Sequence, residues 1–381
     1  MRVHVLDPSA FTPPYDHALC RALAAAGAQV ELYTSRFAYA ELPPAAGYRR
    51  HETFYRGAAR LRSPRARRLL KAAAHVGGML RYARAARAAD VVHFQWLTIP
   101  QLDRHLLPRG RPLVITAHDI LPRQPTPGQR GAQRRLYGRF DAVVVHSEHG
   151  RQRLTGELGI DPQRVHVIPH GVLRPWEGSP AEDGVVAADM KALLEGAGAG
   201  PVVLFFGLLR PYKGLELLLE AWRELHGALG AAAQLWIVGM ARMDLGALRA
   251  GAPADVRFLS RFISDREIFA LMRTAALLVL PYRDIDQSGV AFTALGAGLP
   301  MLLSDAGGFP EIAAAGAART FAAGDRIALA DALRQTLADP AALEGMRERA
   351  RAAASGRYSW EAIAGRMLAL YESLIEEYPR P

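Results

Sequence analysis

The segment FFGLLRPYKGLELLLEAW sets Gly207 directly after an apolar run, Arg210 and Lys213 in the loop that follows, and Gly214 at the opening of a helix-like stretch. A glycine at that place lets backbone approach a ligand, and two neighbouring cations can neutralise a diphosphate. A basic loop between strand and helix is also often only a loop, and on this segment alone both readings stand. In PYRDIDQSGVAFTALGAGLP, the residues Gln287, Ser288, Gly289 and Val290 open an apolar helical run. The unsatisfied N–H groups of such a helix start attract phosphate without any metal. SDAGGFPEI adds a third glycine-rich turn with Gly307, Gly308 and Glu311. Three phosphate-compatible turns at three strand ends argue together for what none argues alone.

The pair Asp284 and Asp286 raises a second chemistry, since Asp-x-Asp can hold a divalent ion against a diphosphate. Arg210, Lys213 and the helix start already supply the charge that such an ion would bring. No metal is therefore expected, and Asp286 is read as a donor contact or a turn cap. In the first half, PLVITAHD ends with His118 and Asp119. A neutral imidazole at a strand end can hydrogen-bond a sugar or align an acceptor, though a lone histidine is more often structural. Asp119 either orients it or caps the next turn.

These loops need a scaffold, and the sequence describes one. Short apolar runs (RVHVLD, QVELYTS, ADVVHFQ, PLVITAHD, DAVVVHSE) alternate with helix-like segments, which implies a parallel sheet covered by helices. The rhythm breaks over a Gly-, Pro- and acid-containing stretch after VHVIPHGV, then restarts at PVVLFFG. The expected organisation is an α/β chain with a first Rossmann-like domain at 1–175, a second at 176–357, and a final helix at 358–381 that packs back toward the first. Ligands of doubly wound sheets bind beyond the carboxyl ends of the strands, so a cleft between the two domains is the expected site.

Composition narrows the class. The chain has 381 residues, half of them apolar, and one cysteine, so an intramolecular disulfide and a Cys-built zinc site are excluded. No apolar run reaches the ~18 residues of a membrane span, and the opening MRVHVLDPSAF reads as strand and loop, so a cytoplasmic protein is expected. The net charge of +10 is concentrated between Arg56 and Arg87, a stretch without acidic residues. Leu69, Leu70, Ala73, Val76, Leu80, Ala83 and Ala86 recur there at helical spacing opposite Arg and Lys. The helix either rests peripherally on the anionic inner membrane face or is a solvated outer face. No basic motif interleaved with aromatics is present, which argues against nucleic acid.

Taken in order, RPYKGLELLLEA, WIVG, FISDREIFALM, LVLPYR, QSGVAFTALGAGLP and SDAGGFPE resemble the retaining GT-B glycosyltransferases of family 4. ADVVHFQW, ITAHD, DAVVVHSEHGRQRL and VHVIPHGV extend the likeness over nearly the whole chain. The resemblance implies two Rossmann-like domains and transfer of a sugar, with retention and without a metal, from a nucleoside-diphosphate-sugar to a hydroxyl of a glycan, a lipid-linked glycan or a small molecule. It assigns Arg210 and Lys213 to the leaving diphosphate and His118 to the vicinity of the reacting sugar. It places Gly207, Asp286, Gln287, Ser288, Gly289, Val290, Thr293 and Glu311 around the donor. Tyr15, Asp16, His17 and Asp119 fall near the acceptor, with capping an equal alternative for Asp16. Two departures stand out: the family's paired glutamates are replaced by Ile285 and Thr293, and its arginine after the first glycine is Leu208. An epimerase or phosphorylase on the same fold, or a basic membrane- or nucleic-acid-binding protein without catalysis, remains the alternative.

Overall fold

The computed structural model describes residues 1–37, 42–55, 64–121, 126–174, 186–225 and 233–378, excepting the side chains of 64–69. The chain forms two units, Met1–Gly171 with Ser359–Pro381, and Val172–Tyr358.

The first unit is built on seven parallel strands: β1 (Arg2–Asp7), β2 (Gln29–Ser35), β3 (Arg49–Phe54), β4 (Val91–Phe94), β5 (Leu113–Thr116), β6 (Ala142–Val145) and β7 (Val165–Val167). Their spatial order is β3-β2-β1-β4-β5-β6-β7. The inner strands are apolar at nearly every position because helices cover both faces, which removes the alternation of a half-exposed sheet. The chain leaves β1 to one side and returns through β4 on the other, so the loops after β1 and β4 part at the carboxyl edge.

The second unit has six parallel strands, β8 (Val202–Phe206), β9 (Gln234–Val238), β10 (Val256–Leu259), β11 (Leu277–Leu280), β12 (Met301–Ser304) and β13 (Ala318–Phe321). Their order is β10-β9-β8-β11-β12-β13. The reversal falls between β8 and β11, which pair through Leu277 with Val203 and Leu278 with Leu204. Helix Leu215–Leu225 buries Leu215, Leu218, Leu219 and Trp222 in this unit's core.

The last helix, Trp360–Glu377, buries Ile363, Met367, Leu370 and Tyr371 in the core of the first unit. The basic helix forms over Pro64–Ala85, but its packed face differs from the leucine pattern in the sequence. His75, Met79, Tyr82 and the following Ala86 are buried, whereas Leu70 and Leu80 are 41% and 52% exposed. Gly78 sets that rotation: a Cβ there would lie 2.6 Å from the Phe54 ring, so this face of the helix lies directly against β3. Leu69 and the side chains of Arg56, Arg60, Arg62, Arg65, Arg67 and Arg68 lie outside the described residues.

Candidate active site

In the second unit the three turns that stand apart in sequence meet at the carboxyl edge. Gly207 follows β8 with φ +119°, and a Cβ on it would lie 3.0 Å from Lys213 Nζ and 3.1 Å from Val290 Cγ2. The first turn of helix Gly289–Ala297 and the lysine of the basic loop therefore converge on one glycine. Gly214, with φ +71°, admits the carbonyl oxygen of Pro281, which would be 2.1 Å from a Cβ. The Arg283 amide donates to the Tyr212 carbonyl at 2.8 Å, which ties the basic loop to the segment after β11. Gly307, at φ +58°, lies still closer to the Ile285 carbonyl. Gly214 and Gly307 meet backbone carbonyls, and all three glycines have positive φ, which is why these positions need glycine.

Lys213 is 6% exposed, and its ammonium lies 4.8 Å from the centroid of the Tyr282 ring. A buried cation is costly, and the ring face offsets part of that cost. Arg210 is exposed, and its carbonyl accepts the Lys213 amide at 3.0 Å. Ser288 caps the helix start without a side-chain hydrogen bond, and the Gln287 side-chain oxygen takes the Ser288 amide at 3.2 Å. The Thr293 hydroxyl donates to the Gly289 carbonyl at 2.9 Å, so its proton is spent within the helix. Asp284 is exposed whereas Asp286 is 8% exposed, so the two carboxylates have different surroundings. Among the described residues no group of three or more His, Cys, Asp or Glu side chains is set to hold a metal ion. Glu311 is half-buried in the short helix Phe309–Ala313, and its carbonyl accepts the Tyr358 hydroxyl at 3.3 Å.

The first unit gathers around His118 two further histidines, His93 and His146, that sequence reading left without a role. His118 Nε2 lies 3.0 Å from Gln95 Oε1, and its Nδ1 lies 3.3 Å from His146 Nε2. His146 Nδ1 donates to the Ile168 carbonyl at 3.0 Å, which leaves a lone pair on Nε2. Burial pushes His118 well below its ordinary pKa, pulls His146 down to about 4 and, with the charge of His146, brings His93 to about 3. With all three rings neutral, His118 must donate from Nδ1 to His146 and accept at Nε2. That requires the Gln95 amide turned end for end, its NH2 toward His118 and its oxygen toward His93, an orientation the hydrogen-bond pattern decides. His93 completes the chain through Tyr371 OH at 2.6 Å and Thr116 Oγ1 at 2.8 Å. The Trp96 ring is stacked on His118 at 5.1 Å, and the Tyr15 edge meets it at 4.8 Å.

This arrangement corrects several expectations. Both ring nitrogens of His118 have partners inside the first unit, Gln95 and His146. Asp119 does not orient it, since its side chain is exposed and Gln95 and His146 occupy the ring. Tyr15 is 2% exposed, with its ring against His118, His146 and His170, and acts as core packing. His17 is also buried, with Nδ1 2.9 Å from the Tyr48 hydroxyl. Asp16 is buried beside Asp7, whose carboxylate accepts the amides of Ser9, Phe11 and Thr12 at 3.2, 2.5 and 3.1 Å. Burial first, and then the charge of Asp7, holds the Asp16 carboxyl well above its usual range. Asp16 is thus the protonated partner of Asp7, which latches the loop after β1. The Trp96 indole N–H donates to Thr12 Oγ1 at 2.9 Å and joins that loop to His118. The sequence signal for the chain was the row of histidines at strand ends in VHFQ, ITAH and VVHS, visible only as separate residues.

A doubly wound domain that brings a lysine and a helix start onto a glycine at its strand-order reversal is built to receive a phosphorylated ligand. The family model described as Glycosyltransferase Family 4 matches residues 15–172, and that described as Glycosyl transferases group 1 matches residues 200–339. The chain belongs to these glycosyltransferases and is a glycosyltransferase of GT-B fold. It is 28% identical over 330 residues to the D-inositol 3-phosphate glycosyltransferase 1 of Catenulispora acidiphila, covering 78% of this chain and 75% of that protein. Among solved structures, sucrose-phosphate synthase from Thermosynechococcus elongatus superposes with a TM-score of 0.74 at 20% identity, covering 99% of both chains. HepE of Anabaena, solved in complex with UDP-glucose, gives a TM-score of 0.66 at 19% identity, covering 98% of this chain and all of that one.

Proposed function

We propose that this glycosyltransferase takes a nucleoside-diphosphate-sugar as donor and transfers its sugar, with retention and without a metal, to a hydroxyl of a phosphorylated polyol of the inositol phosphate kind. The observation that carries the donor half is the convergence of Lys213 Nζ and Val290 on Gly207. The diphosphate lies against Gly207, with Lys213, Arg210 and the amides at Gly289 and Val290 taking up the negative charge that grows as it departs. The acceptor oxygen forms its bond to the anomeric carbon on the face from which the phosphate oxygen leaves, and that oxygen takes the acceptor's proton. No protein nucleophile is used. The acceptor class rests on the similarity to the inositol phosphate enzyme, and the donor class gains from the UDP-glucose complex of HepE.

The test is incubation of the purified protein with UDP-, GDP- and ADP-sugars and D-inositol 3-phosphate, in EDTA and then with magnesium, with the product's anomeric configuration read by NMR. A retained product in EDTA supports the proposal. Inversion, or activity only with magnesium, defeats the corresponding part.

The proposal extends to a peripheral place on an anionic membrane, through the exposed Lys71, Arg81 and Arg84 and the exposed Leu70 and Leu80 of helix Pro64–Ala85. No helix among the described residues is long and apolar enough to cross a membrane. Flotation with phosphatidylserine vesicles that is lost in high salt is the expected result, and equal flotation with neutral vesicles counts against it.

A further inference from the structure

Phe11, in the loop after β1, is 55% exposed. Among the described residues of the first unit it is the one large apolar side chain so exposed outside helix Pro64–Ala85. An aromatic ring left in water forgoes a large burial energy, yet this one is held firmly in place. The residue before it, Ala10, has φ +49°, and the buried Asp7 carboxylate accepts the amides of Ser9, Phe11 and Thr12 around it. A left-handed residue other than glycine carries backbone strain, which gathers where ligands are held. The Phe11 ring meets the Trp96 ring edge-on, with centroids 5.4 Å apart and 66° between the planes. Trp96, half-buried in the loop after β4, is fixed in turn: its indole N–H donates to Thr12 Oγ1 at 2.9 Å, and its ring is stacked on His118 with 13° between the planes. Two rings from two loops are thereby locked against each other.

Their place in the sheet points to a ligand. The loops after β1 and β4 are the two that part at the strand-order reversal of the first unit, where doubly wound sheets take their ligands. The same loops carry the hydroxyls of Ser9, Thr12 and Thr98. One exposed ring among hydroxyl side chains suits a molecule with an apolar face the size of one ring and a polar rim. A pyranose or a cyclitol has that form, with C–H bonds on its face and hydroxyls at its edge. A lipid chain would ask for a contiguous apolar patch, and Phe11 stands as a single ring. We infer that Phe11 and Trp96 are specificity residues for the acceptor: they form a platform on which its six-membered ring lies by the C–H face, with Asp7 the positioning residue that holds the Phe11 loop. The inference deepens the proposed function and rests on the first unit's receiving the acceptor.

Two measurements on the full chain test it. Because the Phe11 ring is exposed, its variants are expected to melt close to the parent, so their kinetics report on binding. With D-inositol 3-phosphate as acceptor, Phe11→Ala and Phe11→Leu are each expected to raise the acceptor KM about fivefold with the donor KM unmoved, and Phe11→Tyr to recover most of that loss. A leucine variant that keeps the parent's acceptor KM shows that apolar bulk and not a ring face is used, and overturns the inference, as does an equal change in both KM values. The second measurement needs no turnover. In saturation-transfer NMR, irradiation of the protein's aromatic protons is expected to reach the ring C–H protons of D-inositol 3-phosphate, myo-inositol or methyl α-D-mannoside, and Phe11→Ala to abolish the transfer. Transfer to none of the three, or transfer that Phe11→Ala leaves intact, overturns the platform. Should D-inositol 3-phosphate prove no acceptor while methyl α-D-mannoside shows transfer that Phe11→Ala removes, the acceptor named above fails and the platform stands.

Discussion

Lys213 and Gly207 are coupled through space: the position where a Cβ on Gly207 would stand lies 3.0 Å from the lysine ammonium. Gly207 also has φ +119°, which L side chains rarely adopt. Gly207→Ala is therefore expected to lower stability by roughly 1–3 kcal/mol and to push the ammonium aside. Thermal melting with and without UDP reads both effects, and a variant that melts and binds as the parent does contradicts the geometry.

Lys213 itself is the more direct probe. Lys213→Ala removes the buried cation from the glycine turn, and a loss of about 100-fold or more in kcat/KM is expected if it stabilises the leaving diphosphate. Lys213→Arg should recover little, because the ammonium fits between Gly207 and the Tyr282 ring and a guanidinium is larger and planar. Steady-state rates of the two variants, with circular dichroism to confirm folding, decide the matter.

The Asp7–Asp16 pair makes an asymmetric prediction. Asp16 is the protonated partner, so Asp16→Asn keeps a donor in place and should cost less than about 1 kcal/mol. Asp7→Ala strands the three amides of the loop after β1 and should cost several times more, on the order of 3 kcal/mol. Urea unfolding of both variants measures the difference, and equal costs would show that the proton sits elsewhere.

Acid should act on the first unit before the second. Burial lowers His4 and His17 to about 4, His93 and His170 to about 3, and His146 to about 4, all in the first unit. Below pH 6.5 the unfolded chain binds protons that these folded rings refuse. Stability is thus whole above 6.5 and falls as the pH drops toward 4, by about 1.4 kcal/mol per pH unit for each histidine. Hydrogen exchange followed from pH 7 to 5 should show protection lost first in β1, β4, β5 and β6. Loss beginning in β8 and β11 would refute it.

The sequence by itself determined the two parallel sheets, because strands covered on both faces read as unbroken apolar runs and their helices as amphipathic ones. It also exposed the three glycine turns of the second unit, since backbone that must touch backbone leaves glycine as its trace. Only the tertiary structure decided what those residues meet: that Pro281 and Ile285 offer their carbonyls to Gly214 and Gly307, and that Tyr282 lies under Lys213. In the first unit local pattern misled more. Tyr15, Asp16 and His17 read as part of a polar loop, yet they lie in the helix Pro13–Ala25 and turn inward, and the helix over Pro64–Ala85 packs through His75 and Met79 while two of its leucines stay exposed. The chain from Tyr371 to His146 joins residues 278 apart at its first step, from His93 to Tyr371. Hydrogen bonds of such span arise from the crossing of strands and helices, and no spacing along the chain records them.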